Sequence, residues 1–269
     1  MTSPGRSPEF CWDARAYHTS SSVQEQWAEE LILKLALRSD EQVLDIGCGD
    51  GKVTAALAGA VPGGRVIGID CSPDMIRFAR ERFSPAEYPN LAFVEMDARN
   101  LNFLQEFDVI FSNAALHWIP NHGPVLAGVN RSLHHGGRML VQMGGKGNAA
   151  QVFEVLYVLM QEERWSRFFA DFPFPYSFFT PDDYRGFLDS AGLRPVRVEL
   201  IPKDMAYRTH ADFSSWIRTT WLPYLARLPE GLRQEFIDAL IDRYMEVYPV
   251  DPDGIIHIGM VRLEVEAVK

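Results

Sequence analysis

Residues 43–54 read Val-Leu-Asp-Ile-Gly-Cys-Gly-Asp-Gly-Lys-Val-Thr: a short apolar strand, an acid near its end, three glycines at alternate positions, then a helix start. A strand that delivers the chain through a glycine turn into a helix N-terminus makes a cleft at the end of a sheet, where backbone groups meet a polar ligand. Gly47, Gly49 and Gly51 allow the sharp turn and close backbone approach. The spacing argues against a dinucleotide, because G-x-G-x-x-G requires glycine where this chain has Lys52. Asp45 could accept a hydrogen bond from a ligand ammonium or order the turn, and it would repel a pyrophosphate. A zwitterionic ligand carrying a nucleoside fits better.

Two further apolar runs end in acids. Arg65-Val-Ile-Gly-Ile-Asp70 closes 19 positions beyond Gly51, about where dinucleotide folds place a ribose-binding carboxylate, so Asp70 is the candidate ligand for a ribose diol. Ser72 as N-cap, Pro73 at the first helical position and Asp74 in the first turn predict a helix to about Phe83. The run from Leu91 to Met96 leads to Asp97, suited to an adenine amino group. Three strands, each ending in a carboxylate, converge on one cleft.

These residues resemble the class I S-adenosylmethionine-dependent methyltransferases over roughly Gln42 to Met143. The resemblance implies S-adenosylmethionine as cofactor, held by Asp45 through Gly51, by Asp70, and by Asp97 with Ala98. Cys48, Cys71 and Met75 fall beside these positions and join the candidate cofactor contacts, although packing is the plainer role for both cysteines. In that family the end of the fourth strand contacts the cofactor's amino group and faces the substrate. Here Asp108-Val-Ile-Phe-Ser-Asn113 leads to His117-Trp118, and a fifth strand, Arg138 to Met143, follows Gly136-Gly137. The implied fold is α/β: a Rossmann-like, mostly parallel sheet of seven strands, helices on both faces, and a helical lid inserted before the last strand.

The remainder sharpens the likeness. Asn113 to His122, Val141-Gln-Met143, Trp216 to Phe236, and Tyr248-Pro249 through Ala267 look like the trans-aconitate methyltransferase group, and more loosely like insect juvenile-hormone acid methyltransferases. Both groups methylate carboxylates. The chain departs from the former pattern at Asp50, where that group often has Pro, at His117, where it has Gln, and at Gly144-Gly145-Lys146.

With 269 residues and 47% apolar content the chain can bury one sizeable core, so a single domain over 11–269 behind a mobile tail of residues 1–10 is expected. A formal charge of −10 argues against a nucleic-acid surface. Three cysteines, Cys11, Cys48 and Cys71, leave one unpaired under any scheme and show no metal spacing, which suits a reducing cytoplasm. The N-terminus lacks a secretory pattern, and no apolar run approaches the roughly 18 residues needed to span a bilayer. A small-molecule substrate is therefore the expected partner, with no nucleic acid, no membrane and no metal. The sequence leaves the oligomeric state open, a monomer or a weak dimer.

Outside the signature, helical periodicity from Val23 to about Leu37, a helix from Gln151 to about Arg167, and one from Pro181 to Ser190 after a Thr180 cap are predicted. Alternation predicts strands over Val196 to Tyr207 and Ile255 to Val268. Between these, Ala211 to Tyr248 reads as helices broken near Pro223 and Pro229. Lid elements thus fall at about 11–26 and 209–250. A carboxylate is already ionised at neutral pH, its ordinary pKa being about 4, so in-line transfer to it requires positioning rather than a base. Candidate substrate contacts are Tyr17, Gln24, Gln142, Trp216, Arg218, Trp221 and Tyr224, with His18, His117 and Trp118 nearest the chemistry. Two other readings remain open at this point: transfer to a hydroxyl, amine or carbon with a histidine base, and a cofactor-binding regulatory module without transfer.

Overall fold

A computed structural model describes residues 22–269. Its centre is one seven-stranded sheet of order β3-β2-β1-β4-β5-β7-β6. β1 (Gln42–Ile46), β2 (Arg65–Asp70), β3 (Leu91–Glu95), β4 (Phe107–Asn113) and β5 (Leu133–Gly144) are mutually parallel, and β7 (Ile256–Val268) runs antiparallel between β5 and β6 (Arg194–Tyr207). β5 begins five residues earlier than the sequence pattern suggested, and Gly136-Gly137 lie within its span rather than before it.

Alternation along the strands divides the core in two. Leu44, Ile46, Ile67, Ile69 and Ile110 face α4 (Gly123–Ser132) and α7 (Pro181–Ser190) through Val125, Val129, Tyr184 and Leu188. Val43, Val66, Val109 and Phe111 face α1 (Ser22–Leu35), α2 (Lys52–Ala60) and α3 (Pro73–Arg82) through Leu31, Leu57 and Ile76. Successive side chains of a strand point to opposite faces, so apolar runs of this kind require a helical layer on each side. The caps behave as their residues dictate: Ser72 Oγ accepts from Met75 N–H, and Thr180 with Asp183 forms a capping box.

A third core lies beyond the sheet. β7 pairs with β5 only from Val268 to Arg262, whereas its pairing with β6 continues to Ile256. The six residues past Arg262 therefore form a two-stranded ribbon about 20 Å long. Its apolar side carries α5 (Ala150–Met160), α6 (Glu163–Ser166), α8 (His210–Thr220), α9 (Leu222–Leu225) and α10 (Glu230–Val247), packed around Trp165, Phe213, Tyr224, Phe236 and Tyr244. The helix expected over 151–167 is two helices. The apolar stripe of α5 at Val152, Val155, Leu156 and Leu159 would next present Glu163 to the core; the break after Met160 brings Trp165 inward instead. The insertion between β6 and β7 is thus part of the core rather than a loose flap. No helix among the described residues is long and apolar enough to cross a membrane.

Candidate active site

In an open parallel sheet, ligands bind past the C-terminal strand ends where the strand order reverses. Here that point is between β1 and β4; the glycine turn after β1 and the acids ending β2 and following β3 lie on this C-terminal side of the sheet.

The glycine turn is internally saturated. Gly47 and Cys48 N–H groups both donate to Ile69 O, at 2.8 and 2.9 Å; Gly51 N–H donates to Cys48 O and Lys52 N–H to Asp50 Oδ1. Gly49 N–H donates to Asp70 Oδ2 at 3.0 Å and Ser72 N–H to Asp70 Oδ1 at 2.8 Å. The amide groups that a pyrophosphate would need are therefore committed. What the switch point offers instead is acids: Asp70 at the end of β2 and Asp97 just past β3. Burial raises the Asp70 carboxyl pKa against the opposing pull of backbone donors at Ser72, Gly49 and Cys71. Arg99 grips both Asp97 oxygens at 2.5–3.0 Å and holds that carboxyl below its ordinary value. Carboxylate acceptors at these positions fit a ligand bearing hydroxyl and amino groups.

Two residues assigned to the cofactor from sequence also make contacts within the protein. Asp45 is buried, its Oδ2 accepts from Thr54 Oγ1 at 2.7 Å, and burial pushes its pKa up to about 7, with Asp70 adding to the effect. This bond ties β1 to α2. Cys48 packs with Leu31, Leu57 and Phe93 in the core, and burial raises its thiol pKa, so its side chain is a packing group. Cys71 is exposed beside Asp70, with its thiol raised to about 11 mainly by burial of the sulfur, and Met75 is buried under the first turn of α3. Ala98 opens a 3-10 turn capped by Asp97, and Asn113 ends β4.

Beyond β4 the chain forms one wall of a partly open cavity of about 80 Å³. Ala114, His117 and Trp118 come from this side; Trp216, Thr220 and Trp221 come from α8 and the residue after it; Trp27, Phe153, Tyr176, Phe178, Met205 and Met260 complete the walls. Ala114 and Ala149, both on the lining, have φ of 56° and 52°, a left-handed conformation that non-glycine residues adopt only under constraint. His117 lies in a 3-10 turn (Leu116–Trp118) with its Nδ1 buried and without a hydrogen-bond partner. Burial, then the neighbouring Arg262 charge, depresses its pKa well below the ordinary value, so it is neutral at pH 7. His122 anchors this turn: Nε2–H donates to Leu116 O and Nδ1 accepts from Tyr184 OH, a structural histidine.

The cation in this cavity is Arg262, 4% exposed, its guanidinium 5.6 Å from the centre of the Trp27 ring. Sequence reasoning missed it and chose Arg218. That residue is exposed on α8 and hydrogen-bonds Gln234 on α10, because at 100° per residue it points almost opposite to Trp216. Gln142 is also displaced from the substrate role: its Nε2 donates to Glu264 at 2.9 Å, inside a network that Lys34 and Arg197 complete. Burial alone would raise the Glu264 carboxyl, but these partners together hold it below its ordinary value. Tyr224 is 1% exposed and packs on Phe172 and Trp221 behind the lining. Trp216, Trp221, His117 and Trp118 reach the cavity as expected. Tyr17 and His18 lie outside the described residues, as does the side chain of Gln24. Phe178 and Tyr176, stacked at 5.5 Å with planes 1° apart, come from the aromatic- and proline-rich segment 172–179, a composition that could have flagged them.

With this geometry in place, the chain belongs to the methyltransferase domain family, whose model matches residues 37–171, and it is a class I S-adenosylmethionine-dependent enzyme. It is 35% identical to an uncharacterized methyltransferase of Schizosaccharomyces pombe over 87% of this chain and 90% of that one. It is 31% identical to the trans-aconitate 2-methyltransferase of Escherichia coli over 95% of this chain and 97% of that protein. Among solved structures it resembles the YcgJ protein of Bacillus subtilis, with a TM-score of 0.63 and 19% identity over 91% and 98% of the two chains. It also resembles phosphoethanolamine N-methyltransferase 2 of Haemonchus contortus in complex with S-adenosyl-L-methionine, with a TM-score of 0.60 and 17% identity over 95% and 56%.

Proposed function

We propose that this enzyme transfers a methyl group to the carboxylate of a small organic acid held in the aromatic cavity. The observation that carries the reading is Arg262, a buried guanidinium on β7 that lines the aromatic cavity together with His117 and Trp118 from the turn after β4. A buried cation of fixed geometry is suited to a carboxylate, which it can engage through two parallel hydrogen bonds. Similarity to a trans-aconitate 2-methyltransferase over nearly the whole chain supports the same acceptor chemistry.

The donor's place is the switch point. Gly47, Gly49 and Gly51 would bring backbone against it, and Asp70 would take the ribose hydroxyls on lone pairs left beside its backbone donors. Asp97 with Ala98, Cys71 and Met75 would border the base, and Asn113 the amino-acid end. S-adenosylmethionine supplies a sulfonium-bound methyl group, an electrophile with a good leaving group. Arg262 fixes the acceptor oxygens, while Trp118, Phe153 and Trp221 exclude water. Alignment of this kind lowers barriers by as much as about 7–11 kcal/mol in well-oriented systems. An ionised carboxylate gives up no proton, and His117, neutral and with a depressed pKa, is assigned to shaping the wall.

The unpartnered Nδ1 of His117 favours a second reading, base-assisted transfer to a hydroxyl, amine or carbon. One assay separates the two. The protein is incubated with methyl-labelled S-adenosylmethionine and organic acids, and labelled products are treated with mild alkali. Label released as methanol is the expected result and marks an ester. Alkali-stable label would replace the first reading with the second, and tight cofactor binding with no transfer to any acceptor class would indicate a binding module.

A further inference from the structure

We infer that Asn148 is a binding residue for the acceptor: its side-chain NH₂ group donates to the carboxylate that receives the methyl and sets the rotation of that group toward the donor. The inference rests on the carboxyl-transfer reading and deepens it.

The placement follows from how β7 parts from β5. Their pairing ends with Gly144 opposite Arg262, so the main-chain groups of the neighbouring Val261 have no partner on β5. The loop of residues 145–149 takes them up. Gly145 N–H donates to Val261 O at 2.9 Å, and Val261 N–H donates to Asn148 Oδ1 at 3.2 Å. A main-chain N–H can only donate, so this bond decides which end of the amide is oxygen and leaves the NH₂ end for another partner. Asn148 is 7% exposed and lines the cavity, and among the described residues its NH₂ group has no acceptor. A buried amide hydrogen without an acceptor is costly, and a ligand that supplies one explains why it is kept.

The surroundings hold the amide in place. Gly147 and Ala149, on either side of it, have φ of 86° and 52°, and Ala149 is 1% exposed, so the side chain is presented from a constrained loop rather than a slack one. Gly144 makes room beside it: a Cβ there would lie 2.6 Å from Phe178 Cε1 and 3.1 Å from Asn148 Nδ2. The amide and the Phe178 ring thus meet over one bare backbone position, and the Phe178 ring lies 6.1 Å, centre to centre, from that of His117. The NH₂ group is therefore on the side of the cavity that the turn after β4 borders, where the reacting carboxylate belongs.

The test compares wild type, Asn148→Ala and Asn148→Asp as full-length proteins, with methyl-labelled S-adenosylmethionine and trans-aconitate, succinate, trans-cinnamate and octanoate, each product scored for alkali-labile ester. Asn148→Asp keeps the bond from Val261 and puts a carboxylate oxygen where the donor was, whereas Asn148→Ala removes both groups. A tether alone would leave Asn148→Asp close to wild type and impair only Asn148→Ala. Acceptor binding gives a different order. For the acid best esterified by the wild type, kcat/KM at about pH 8 is expected to fall about tenfold to hundredfold in Asn148→Ala, the range of a lost hydrogen bond to a charged group, and further in Asn148→Asp. The loss should fall mainly on KM, with cofactor affinity within about twofold of wild type in both variants. The primary amide of that acid, offered as an inhibitor, should bind Asn148→Asp more tightly than wild type, a reversal that a purely structural role would not produce. Asn148→Asp within about twofold of wild type, or an unchanged preference between acid and amide, overturns the inference and leaves carboxyl transfer intact. Alkali-stable label, or no ester from any of these acids, overturns the carboxyl-transfer reading itself.

Discussion

Gly47→Ala probes the joint between the cofactor turn and the acceptor wall. Gly47 has φ of 76°, and a Cβ placed on it would lie 2.2 Å from the Cβ of Ala115, where ordinary contacts begin at 3.4 Å. Two costs follow. The left-handed conformation costs an L-residue about 1–2 kcal/mol, and forcing the two methyls apart by more than an ångström costs about 1–3 kcal/mol on the scale of overpacked cores. Together these predict a destabilisation of about 2–5 kcal/mol, and at about 2 °C per kcal/mol for a chain this long, a fall in Tm of about 4–10 °C. Ala115 immediately precedes Leu116–Trp118, so the displaced turn should also weaken both cofactor binding and acceptor turnover. The partition is checked by Gly47→Ala/Ala115→Gly. With the partner methyl gone, the nearest atom of residue 115 is Cα at 3.6 Å, an ordinary contact. The double variant should recover the steric part and retain the conformational part, giving a favourable coupling of about 1–3 kcal/mol. Melting curves and calorimetric titration of S-adenosylmethionine for the four proteins provide the cycle; additive effects would refute the close-approach argument.

Asp45→Asn should stabilise the protein increasingly as pH rises from 4 to 8. The folded-state pKa of about 7 exceeds the ordinary value, so the unfolded chain releases this proton first and the wild type loses up to about 4 kcal/mol across that window; a melting difference that does not grow with pH would count against the buried-carboxyl account. His257 has the opposite linkage. Asp204 at 2.7 Å and Asp251 at 3.2 Å raise its pKa, so its contribution is fully present below about pH 6.5 and disappears as pH rises through the folded value. His257→Ala should therefore lower Tm more at pH 6 than at pH 9, read by melting at both. For transfer to a carboxylate, kcat should be flat from pH 6.5 to 8.5 because His117 stays neutral throughout and no base titrates, and His117→Ala should weaken acceptor binding while leaving cofactor affinity within about twofold; a limb of slope one in the kcat profile, abolished in the variant, would restore the base.

The parts of the fold legible in sequence are those governed by local rules. A glycine turn at a strand end, an acid after each apolar run, and Ser-Pro or Thr-Pro helix starts depend on neighbours a few positions away, and the structure places them accordingly. Helical phase would also have excluded Arg218 once Trp216 was placed inward. Arg262 was not legible in this way. In an alternating strand a charged residue normally marks the solvent face, yet Arg262 shares parity with Ile258 and Met260, which face the ribbon's helical core. An arginine on the apolar parity of a strand is the signal that could have found it. Its burial depends on cover from Trp27, more than 230 residues away, and from helices of the insertion. Glu264 is similar: its partners Lys34, Gln142 and Arg197 come from three separate elements. Non-local pairing of this kind decides whether a polar side chain is a solvated surface group or part of a buried network, and no window of sequence contains it.

The distribution of charge across the switch point matches the proposed reaction. Asp70 and Asp97 lie at the ends of β2 and β3, while Arg262 lies two strands beyond β4, on β7. Under the proposed reading, acids border the donor's place and a guanidinium the acceptor's, so donor and acceptor would be sorted by sign before they meet. Attack of a carboxylate on a sulfonium methyl consumes both charges, giving a neutral ester and a neutral thioether. Charge is therefore more dispersed in the transition state than in the reactants, and water, which solvates the separated ions best, opposes the step. Walls of Trp118, Phe153 and Trp221 replace that water with surface of low polarity, which strengthens attraction between the reacting charges and leaves less solvation to be lost on the way to the transition state. Under the proposed reading, the walls that line the acceptor cavity would thus also favour the chemistry performed there. A single substitution such as Trp221→Gln, which admits water without touching Arg262, should lower kcat for carboxylate acceptors more than it raises KM; the reverse outcome, with KM alone affected, would assign the rings to binding and remove them from catalysis.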